Sequence, residues 1–273
     1  ELGQGDQGVG TDRSSPVQVG SDLVWSKCCV TSSNGTSVAI RTNGSLWMWG
    51  NNSTVLIQTG GSNHESSPVQ KGSATDWAEV KGGYDHMGGL KTDGSLWLWG
   101  NSGQGALGNS IYGGTYSDPL DTFTGETWID FTCGYGCTLA IKTDGTLWAW
   151  GRNDFGQHGN ETTSTTNSPV QVGSDTDWLK VSCQGQTVLA LKEDGSLFVW
   201  GRNDYGNHGG WWSDHRSSPV QLGSVLWSRV FNSYNTSYAI KKDGTLWAWG
   251  LGTYGQLAQG DISTVSSLSL IHI

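Results

Sequence analysis

Ile141-Lys-Thr-Asp-Gly-Thr-Leu-Trp-Ala-Trp-Gly151 is the stretch that decides the fold of this 273-residue chain, because it recurs four more times. The related segments are Ile40–Gly50, Leu90–Gly100, Leu191–Gly201 and Ile240–Gly250. Their turn glycines are separated by 50, 51, 50 and 49 residues and are Gly44, Gly94, Gly145, Gly195 and Gly244. A fixed period of this size is the signature of a repeat architecture. The chain therefore contains five repeats of about 50 residues.

Two further markers keep the same register. A tryptophan precedes each segment, at Trp25, Trp77, Trp128, Trp178 and Trp227. The motif Ser-Pro-Val-Gln stands at Ser15–Gln18, Ser67–Gln70, Ser168–Gln171 and Ser218–Gln221. In the middle copy it is reduced to Asp118-Pro119-Leu120. Three independent markers in one register exclude a chance similarity.

Each repeat has the pattern of paired β-strands. Two short apolar runs meet at Asp-Gly or Asn-Gly, which is the strongest local signal for a hairpin. In the strand after the turn, Leu147 and Ala149 are expected on one face and Trp148 and Trp150 on the other. Both faces are apolar, as in a strand between two neighbouring sheets. Fourteen of the 16 Trp occupy such repeat positions, so we interpret them as core residues. The pattern predicts an all-β propeller.

The motif Trp-x-Trp-Gly-x-Asn-x-x-Gly-Gln, seen at Trp148–Gln157 and echoed at Phe198–Asn207, resembles the regulator-of-chromosome-condensation repeat family. The family's Gly-Gln-Leu-Gly has a near match at Gly255–Ala258, and His86 keeps a characteristic histidine. The resemblance implies four-stranded antiparallel blades, with seven blades in the full protein. It also implies either an interaction scaffold or a guanine-nucleotide exchange factor for a small GTPase. We expect a bacterial or phage-like member.

The domain organisation follows from the repeats. We predict one propeller domain over residues 1–267 that starts and ends within a repeat. Residues 268–273, Leu-Ser-Leu-Ile-His-Ile, match the translation of a transposon-end sequencing adapter, and we interpret them as a sequencing scar. The chain would then be a fragment of a metagenomic reading frame. A natural terminal strand, and a five-bladed ring closed on itself, remain the alternatives.

Charge and composition exclude several classes of function. The chain has 24 acidic and 15 basic residues, and its net charge of −9 argues against a nucleic-acid partner. It has no apolar run near the ~20 residues that span a bilayer. Since the sequence starts at Glu1 rather than Met, the compartment stays open, with an extracellular or virion-surface location favoured. The five cysteines have neither zinc-finger spacing nor a pairing pattern, and we interpret them as structural or incidental thiols.

No catalytic signature is present, whether a Gly-x-Ser-x-Gly elbow, His-Glu-x-x-His or a phosphate-binding loop. We therefore predict neither catalysis nor a cofactor. His158 and His208 share one repeat position, which is leucine at Leu107 and Leu257. We interpret them as packing residues, and a metal pair is the alternative. The repeated Arg-Asn-Asp at residues 152–154 and 202–204 is interpreted as polar residues that are solvated or brace a loop.

Four connections differ in length and content, and they are expected to emerge on one face. They are Val55–Ser66, Ile111–Asp118, Glu161–Asn167 and Trp211–Arg216. Functional residues concentrate on such loops, and Trp and Arg are enriched in binding hot spots. The predicted binding residues are Trp211, Trp212, Asp214, His215, Arg216, Tyr112 and Tyr116. The alternative is that the two tryptophans fold down over the blade edge.

These observations favour a non-catalytic binding module that presents its loops to a protein or glycan. Nucleotide exchange on a small GTPase is the alternative that the family resemblance implies. None of the connections is long enough to be an obvious wedge loop, which such exchange uses. Catalysis remains an alternative function only because one fold can carry unrelated sites.

Overall fold

The computed structural model describes residues 17–21, 24–32, 35–52, 57, 64–210 and 212–271. This part of the chain contains twenty β-strands and no helix. The strands are β1 (Trp25–Val30), β2 (Thr36–Arg41), β3 (Leu46–Gly50), β4 (Glu65–Gln70), β5 (Trp77–Gly82), β6 (His86–Lys91), β7 (Leu96–Asn101), β8 (Thr115–Asp121), β9 (Trp128–Cys133), β10 (Cys137–Lys142), β11 (Leu147–Gly151), β12 (Thr166–Gln171), β13 (Trp178–Ser182), β14 (Thr187–Lys192), β15 (Leu197–Gly201), β16 (Arg216–Gln221), β17 (Trp227–Ser233), β18 (Thr236–Lys241), β19 (Leu246–Gly250) and β20 (Val265–Leu270).

The strands form five antiparallel sheets of four strands each, in sequence order, which we call blades 1 to 5. The first strands of consecutive blades contact one another, so β1, β5, β9, β13 and β17 surround an axial channel. This arrangement confirms the predicted propeller of four-stranded antiparallel blades. No helix in the described residues is long and apolar enough to span a membrane.

The apolar core lies between consecutive blades and forms four clusters. Leu147 and Ala149 of β11 pack between blades 3 and 4, whereas Trp148 and Trp150 pack between blades 2 and 3. The predicted alternation of this strand is therefore confirmed. Since both faces of each inner blade are buried, the blades hold one another in place.

The β10–β11 hairpin shows why Asp-Gly recurs in the repeat. The Asp144 carboxylate accepts hydrogen bonds from the backbone N–H and the hydroxyl of Thr146, and these bonds lower the pKa of Asp144. The same hydroxyl accepts a hydrogen bond of 2.9 Å from Trp148 Nε1. Lys142 Nζ lies 4.4 Å from the centroid of that indole, within range of a cation–π interaction. The turn sequence thus positions the tryptophan that follows it.

The tryptophan that precedes the last glycine of β11, β15 and β19 ties each blade to the one before it. Trp150 Nε1 donates to the carbonyl of Ala106 at 2.8 Å. The equivalent bonds run from Trp200 to Gln157 and from Trp249 to Asn207. Each acceptor lies at the corner after the third strand of the preceding blade. These buried bonds fix the loops on that side of the molecule to the neighbouring blade.

All five cysteines are free thiols, and Cys137 Sγ and Cys183 Sγ lie 3.9 Å apart in the core between blades 3 and 4. The sequence spacing did not predict this neighbour pair, since the two residues belong to different repeats.

Leu268–Leu270 belong to β20, where Leu270 pairs with Trp247 of β19. The origin of residues 268–273 as a sequencing scar stays a prediction.

Candidate interaction face

Antiparallel strand order brings two sets of connections to the same end of the propeller. In each blade, the turn between the first and second strands and the loop between the third and fourth strands emerge there. We call this end the loop face. Its described residues include turns 83–85, 134–136, 183–186 and 234–235 and loops 102–114, 152–165, 202–210 with 212–215, and 251–264. The opposite end carries the Asp-Gly turns and is called the turn face.

The loops of the first four blades are almost equal in length, contrary to expectation. The glycine near the end of the third strand and the proline of the fourth are 18 positions apart at 50 and 68, at 151 and 169, and at 201 and 219. They are 19 positions apart at 100 and 119. The four segments compared above begin at different points of the repeat, and this explains their unequal lengths. Only their content varies.

A buried asparagine holds each of two described loops from inside. Asn153 Nδ2 donates to the carbonyls of Thr162 and Ser164, and its Oδ1 accepts the backbone N–H of His158. Asn203 makes the same three bonds in the next blade, with Trp212, Asp214 and His208. Most of the loop acceptors are backbone carbonyls, and the hydroxyl of Thr162 is a further acceptor for Asn153 Nδ2. The central residue of the repeated Arg-Asn-Asp triplet therefore braces its loop, as the sequence suggested for these polar residues.

His158 and His208 are buried beneath these loops. Burial lowers the pKa of His158 to about 4, although the backbone of Gly151 and Trp150 acts in the opposite direction. Burial likewise lowers the pKa of His208 to about 4. Among the described residues, no group of three or more His, Cys, Asp or Glu could hold a metal ion. Both imidazoles occupy a packing position as neutral rings.

Trp212 folds down onto the blade instead of standing out from it. Its ring packs against the cluster between blades 4 and 5, and its Nε1 donates to His208 Nδ1 at 3.2 Å. The guanidinium of Arg216, in β16, lies 5.8 Å from the ring centroid. The second predicted tryptophan, Trp211, lies outside the described residues. Its predicted role in binding stays a prediction.

We expect Trp212→Ala to destabilise the protein by about 2 kcal/mol, about half of the cost of truncating a fully buried tryptophan. The loss reflects the half-buried ring and its bond to His208. Thermal unfolding of the variant and the wild type measures the effect. An unchanged transition would show that the indole contributes little to the blade and would favour a role at the surface.

His215 lies in a polar and aromatic cluster at the border of blades 3 and 4. Its Nδ1 accepts the backbone N–H of Asn203 at 3.1 Å, and its Nε2 lies 3.5 Å from Asp204 Oδ1. The ring meets Phe155 edge-on, with 4.8 Å between centroids. Asp214 is exposed, and its carbonyl is one of the braced acceptors. The structure thus brings His215 and Asp214 together near Trp212.

The two predicted tyrosines lie apart from that cluster. Tyr112 is 53% exposed, and its hydroxyl donates to the carbonyl of Thr165 in the next blade. Tyr116, in β8, is half-buried against the cluster between blades 2 and 3. Tyr112 therefore belongs to the loop face, whereas Tyr116 contributes to the blade.

The loop face also carries tyrosines that the sequence analysis did not single out. Tyr84 and Tyr135 pack in a tilted arrangement with 4.3 Å between centroids and 51° between the ring planes, and Tyr135 meets Tyr234 edge-on at 6.5 Å. Tyr205 and Tyr254 occupy the repeat position of Phe155 and are 37% and 89% exposed. Their spacing of 50 and 49 residues was the available signal. A position that repeats in this way is also typical of core residues, so the spacing alone does not indicate exposure.

The geometry defines a class: a β-propeller whose loops form one braced face rich in exposed aromatic side chains. Two family models described as "Regulator of chromosome condensation (RCC1) repeat" match the chain. One matches residues 93–141 and 144–191, and the other matches 128–157, 178–207 and 233–256. The chain therefore belongs to the RCC1-repeat family of β-propellers.

Solved structures share this fold. Human WBSCR16 is 22% identical with a TM-score of 0.79, over 91% of this chain and 67% of that chain. Yeast RCC1 (Prp20), in a structure with bound Kap60, is 20% identical with a TM-score of 0.74, over 88% and 60%. Prp20p from Saccharomyces cerevisiae is 22% identical with a TM-score of 0.74, over 88% and 62%. The chain thus spans 60% to 67% of the length of these proteins.

Proposed function

We propose that this chain is a non-catalytic interaction scaffold that binds a protein partner through the loop face. The observation that carries the proposal is the exposure of Tyr254, at 89%, in the repeat position that Tyr205 shares. Tyrosine is enriched at interfaces because its ring buries a large area and its hydroxyl remains satisfied at a wet rim. Exposed rings at equivalent positions of consecutive blades therefore fit a binding surface.

The two arginines that the loops 152–165 and 202–215 share are each neutralised by an aspartate of the same loop. Arg152 pairs with Asp154, and Arg202 pairs with Asp204. Such exposed pairs contribute little to stability, but they remove the strong single-sign field that would steer a polyanion. The related Prp20p is described together with its binding properties to Gsp1p and histones. For this chain the aromatic face favours a protein partner over the glycan alternative.

Replacing Tyr205 and Tyr254 together with serine is expected to weaken partner capture at least tenfold, or about 1.4 kcal/mol. The immobilised wild type and variant are compared in a cell lysate by quantitative mass spectrometry. Since both rings are exposed, the variant should unfold at the wild-type temperature.

The matched control is Leu226→Ser, which removes a 43% exposed side chain at the start of blade 5, next to the turn face. Capture should survive this change. Equal recovery by all three proteins would contradict binding through the loop face. Accelerated release of fluorescent GDP from a small GTPase would instead support the nucleotide-exchange alternative.

A further inference from the structure

A small cavity opens on the loop face between blades 2 and 3, with a volume of about 170 Å³. Its walls combine aromatic, amide, acidic and basic groups. They are Tyr84, Asp85, Asn101, Gly103, Gln104, Tyr135, Gly136 and Arg152. The predicted binding residues do not include any of these. The cavity is therefore a separate feature of the face.

The repeat allows each wall to be compared with its counterpart between blades 3 and 4. Gln104 corresponds to Phe155, 51 residues later. Gly136 corresponds to Gln186, and Arg152 corresponds to Arg202, each 50 residues later. The two sites differ in the groups that surround the arginine.

Between blades 3 and 4, the chain's own side chains surround Arg202. Its guanidinium carbon lies 4.9 Å from the centroid of Phe155. Its Nη1 donates to Gln186 Oε1 at 3.1 Å, and Asp204 accepts from Nε. An aromatic ring, an oxygen acceptor and a carboxylate thus satisfy this arginine.

Between blades 2 and 3, Arg152 keeps only part of this set. Asp154 accepts from its Nε, and Tyr135 lies 4.9 Å from its guanidinium carbon. The acceptor position of Gln186 is taken by Gly136, which has no side chain. The ring position of Phe155 is taken by Gln104. A guanidinium carries five N–H donors in a fixed fork, so donor capacity remains at the cavity.

We propose that this cavity takes one tyrosine side chain of a protein partner, a proposal that rests on the function proposed above. The ring takes the place that Phe155 has beside Arg202. An oxygen of the partner backbone accepts from Arg152, as Gln186 Oε1 does from Arg202. The side chain of Asp85, which is 25% exposed, supplies the acceptor for the phenol hydroxyl.

The size and chemistry of the site agree with this occupant. A cavity of about 170 Å³ is smaller than the ~300 Å³ of ordinary ligand pockets, and it suits a single ring rather than an extended molecule. Stacking on Tyr84 or Tyr135 and a cation–π contact with Arg152 both favour an aromatic group. Tyr and Arg pairs of this kind are typical of binding hot spots.

The test uses N-acetyl-tyrosinamide as the probe and saturation-transfer NMR on the full chain. We expect binding with a dissociation constant on the order of 1 mM, typical of so small a ligand. N-acetyl-phenylalaninamide should bind more weakly because it lacks the hydroxyl. Arg152→Gln should weaken binding of the tyrosine probe at least tenfold, and Gln104→Phe should abolish it by filling the cavity from within.

Arg202→Gln is the matched control, since both arginines pair with an aspartate two residues later and both side chains are 26% exposed. The tyrosine probe should bind this variant as it binds the wild type. Thermal unfolding establishes that all variants are folded.

Several outcomes would overturn the proposal. The first is that no saturation is transferred to the tyrosine probe. The second is that Arg202→Gln weakens binding of the probe as much as Arg152→Gln does, and the third is that Gln104→Phe leaves binding unchanged. The fourth is that saturation is transferred to free glucose and not to the tyrosine probe. Failure here leaves the proposed scaffold function testable by itself. Partner capture that depends on Tyr205 and Tyr254 uses residues outside the cavity.

Discussion

Gly145→Ala should destabilise the propeller by about 3 kcal/mol, whereas Gly244→Ala should cost only about 1 kcal/mol. Both glycines occupy the same turn position with positive φ, +79° at Gly145 and +90° at Gly244. A Cβ on Gly145 would lie under 3.0 Å from the carbonyl oxygen of Thr176, whereas a Cβ on Gly244 meets nothing within 4 Å. The first glycine therefore has both a conformational and a packing requirement, and the second has only the conformational one.

The neighbouring blade cannot move away from Gly145 without cost. The carbonyl of Gly145 accepts the backbone N–H of Trp178, the first residue of β13, at 3.1 Å. A shift that relieves the Thr176 contact would stretch this bond. Denaturant unfolding of both variants, analysed with a common m value, measures the difference. Equal losses would show that close approach to the next blade does not constrain the turn.

His158→Leu should remove an acid sensitivity of about 3 kcal/mol that the wild type shows between pH 6.5 and pH 4. The pKa of His158 is about 4 in the folded chain, below the ordinary value of 6.5. In this window the unfolded chain binds a proton that the folded chain does not, so stability falls as the pH falls. Above pH 6.5 the titration of this histidine no longer changes the stability, and leucine at the same position should be tolerated.

The equivalent position in another repeat provides the control variant. Leu107 occupies the His158 position in blade 2 and is fully buried. Leu107→His should therefore add an acid sensitivity of similar size, and His158→Leu should remove one. Denaturant unfolding from pH 7 to pH 4 gives the slope for each variant. Parallel curves for wild type and His158→Leu would mean that the imidazole reaches solvent in the folded state.

Much of the fold could be predicted because its determinants are local. The alternation of Leu147 and Trp148 and the Asp-Gly turn specify a strand, its two faces and its hairpin within a few residues. The repetition of these signals then specifies the blades. No contact between distant residues had to be known.

The site depends on contacts that sequence spacing does not show. Tyr84 and Tyr135 are in contact because consecutive blades place equivalent turns next to each other. Asp118, seen only as a weakened motif, pairs at 3.3 Å with Lys71, whose buried side chain reaches it from the preceding blade. Trp212 looked available for binding, yet the core between two blades receives it. Each of these contacts joins residues of neighbouring blades, and the spacing within one repeat does not show which residues meet there.

The asparagine braces have a consequence for how this surface can change. Asn153 and Asn203 hold their loops mainly through backbone carbonyls, so most loop side chains are not part of the attachment. The exceptions are Thr162, whose hydroxyl accepts from Asn153, and His215, whose ring accepts from the backbone of Asn203. A loop can exchange its other side chains and keep these backbone bonds, provided that the asparagine and the loop length persist. Selection, or a protein engineer, can thus alter recognition blade by blade without rebuilding the frame. The blades are thus a constant frame, and the loop side chains are the part that can vary.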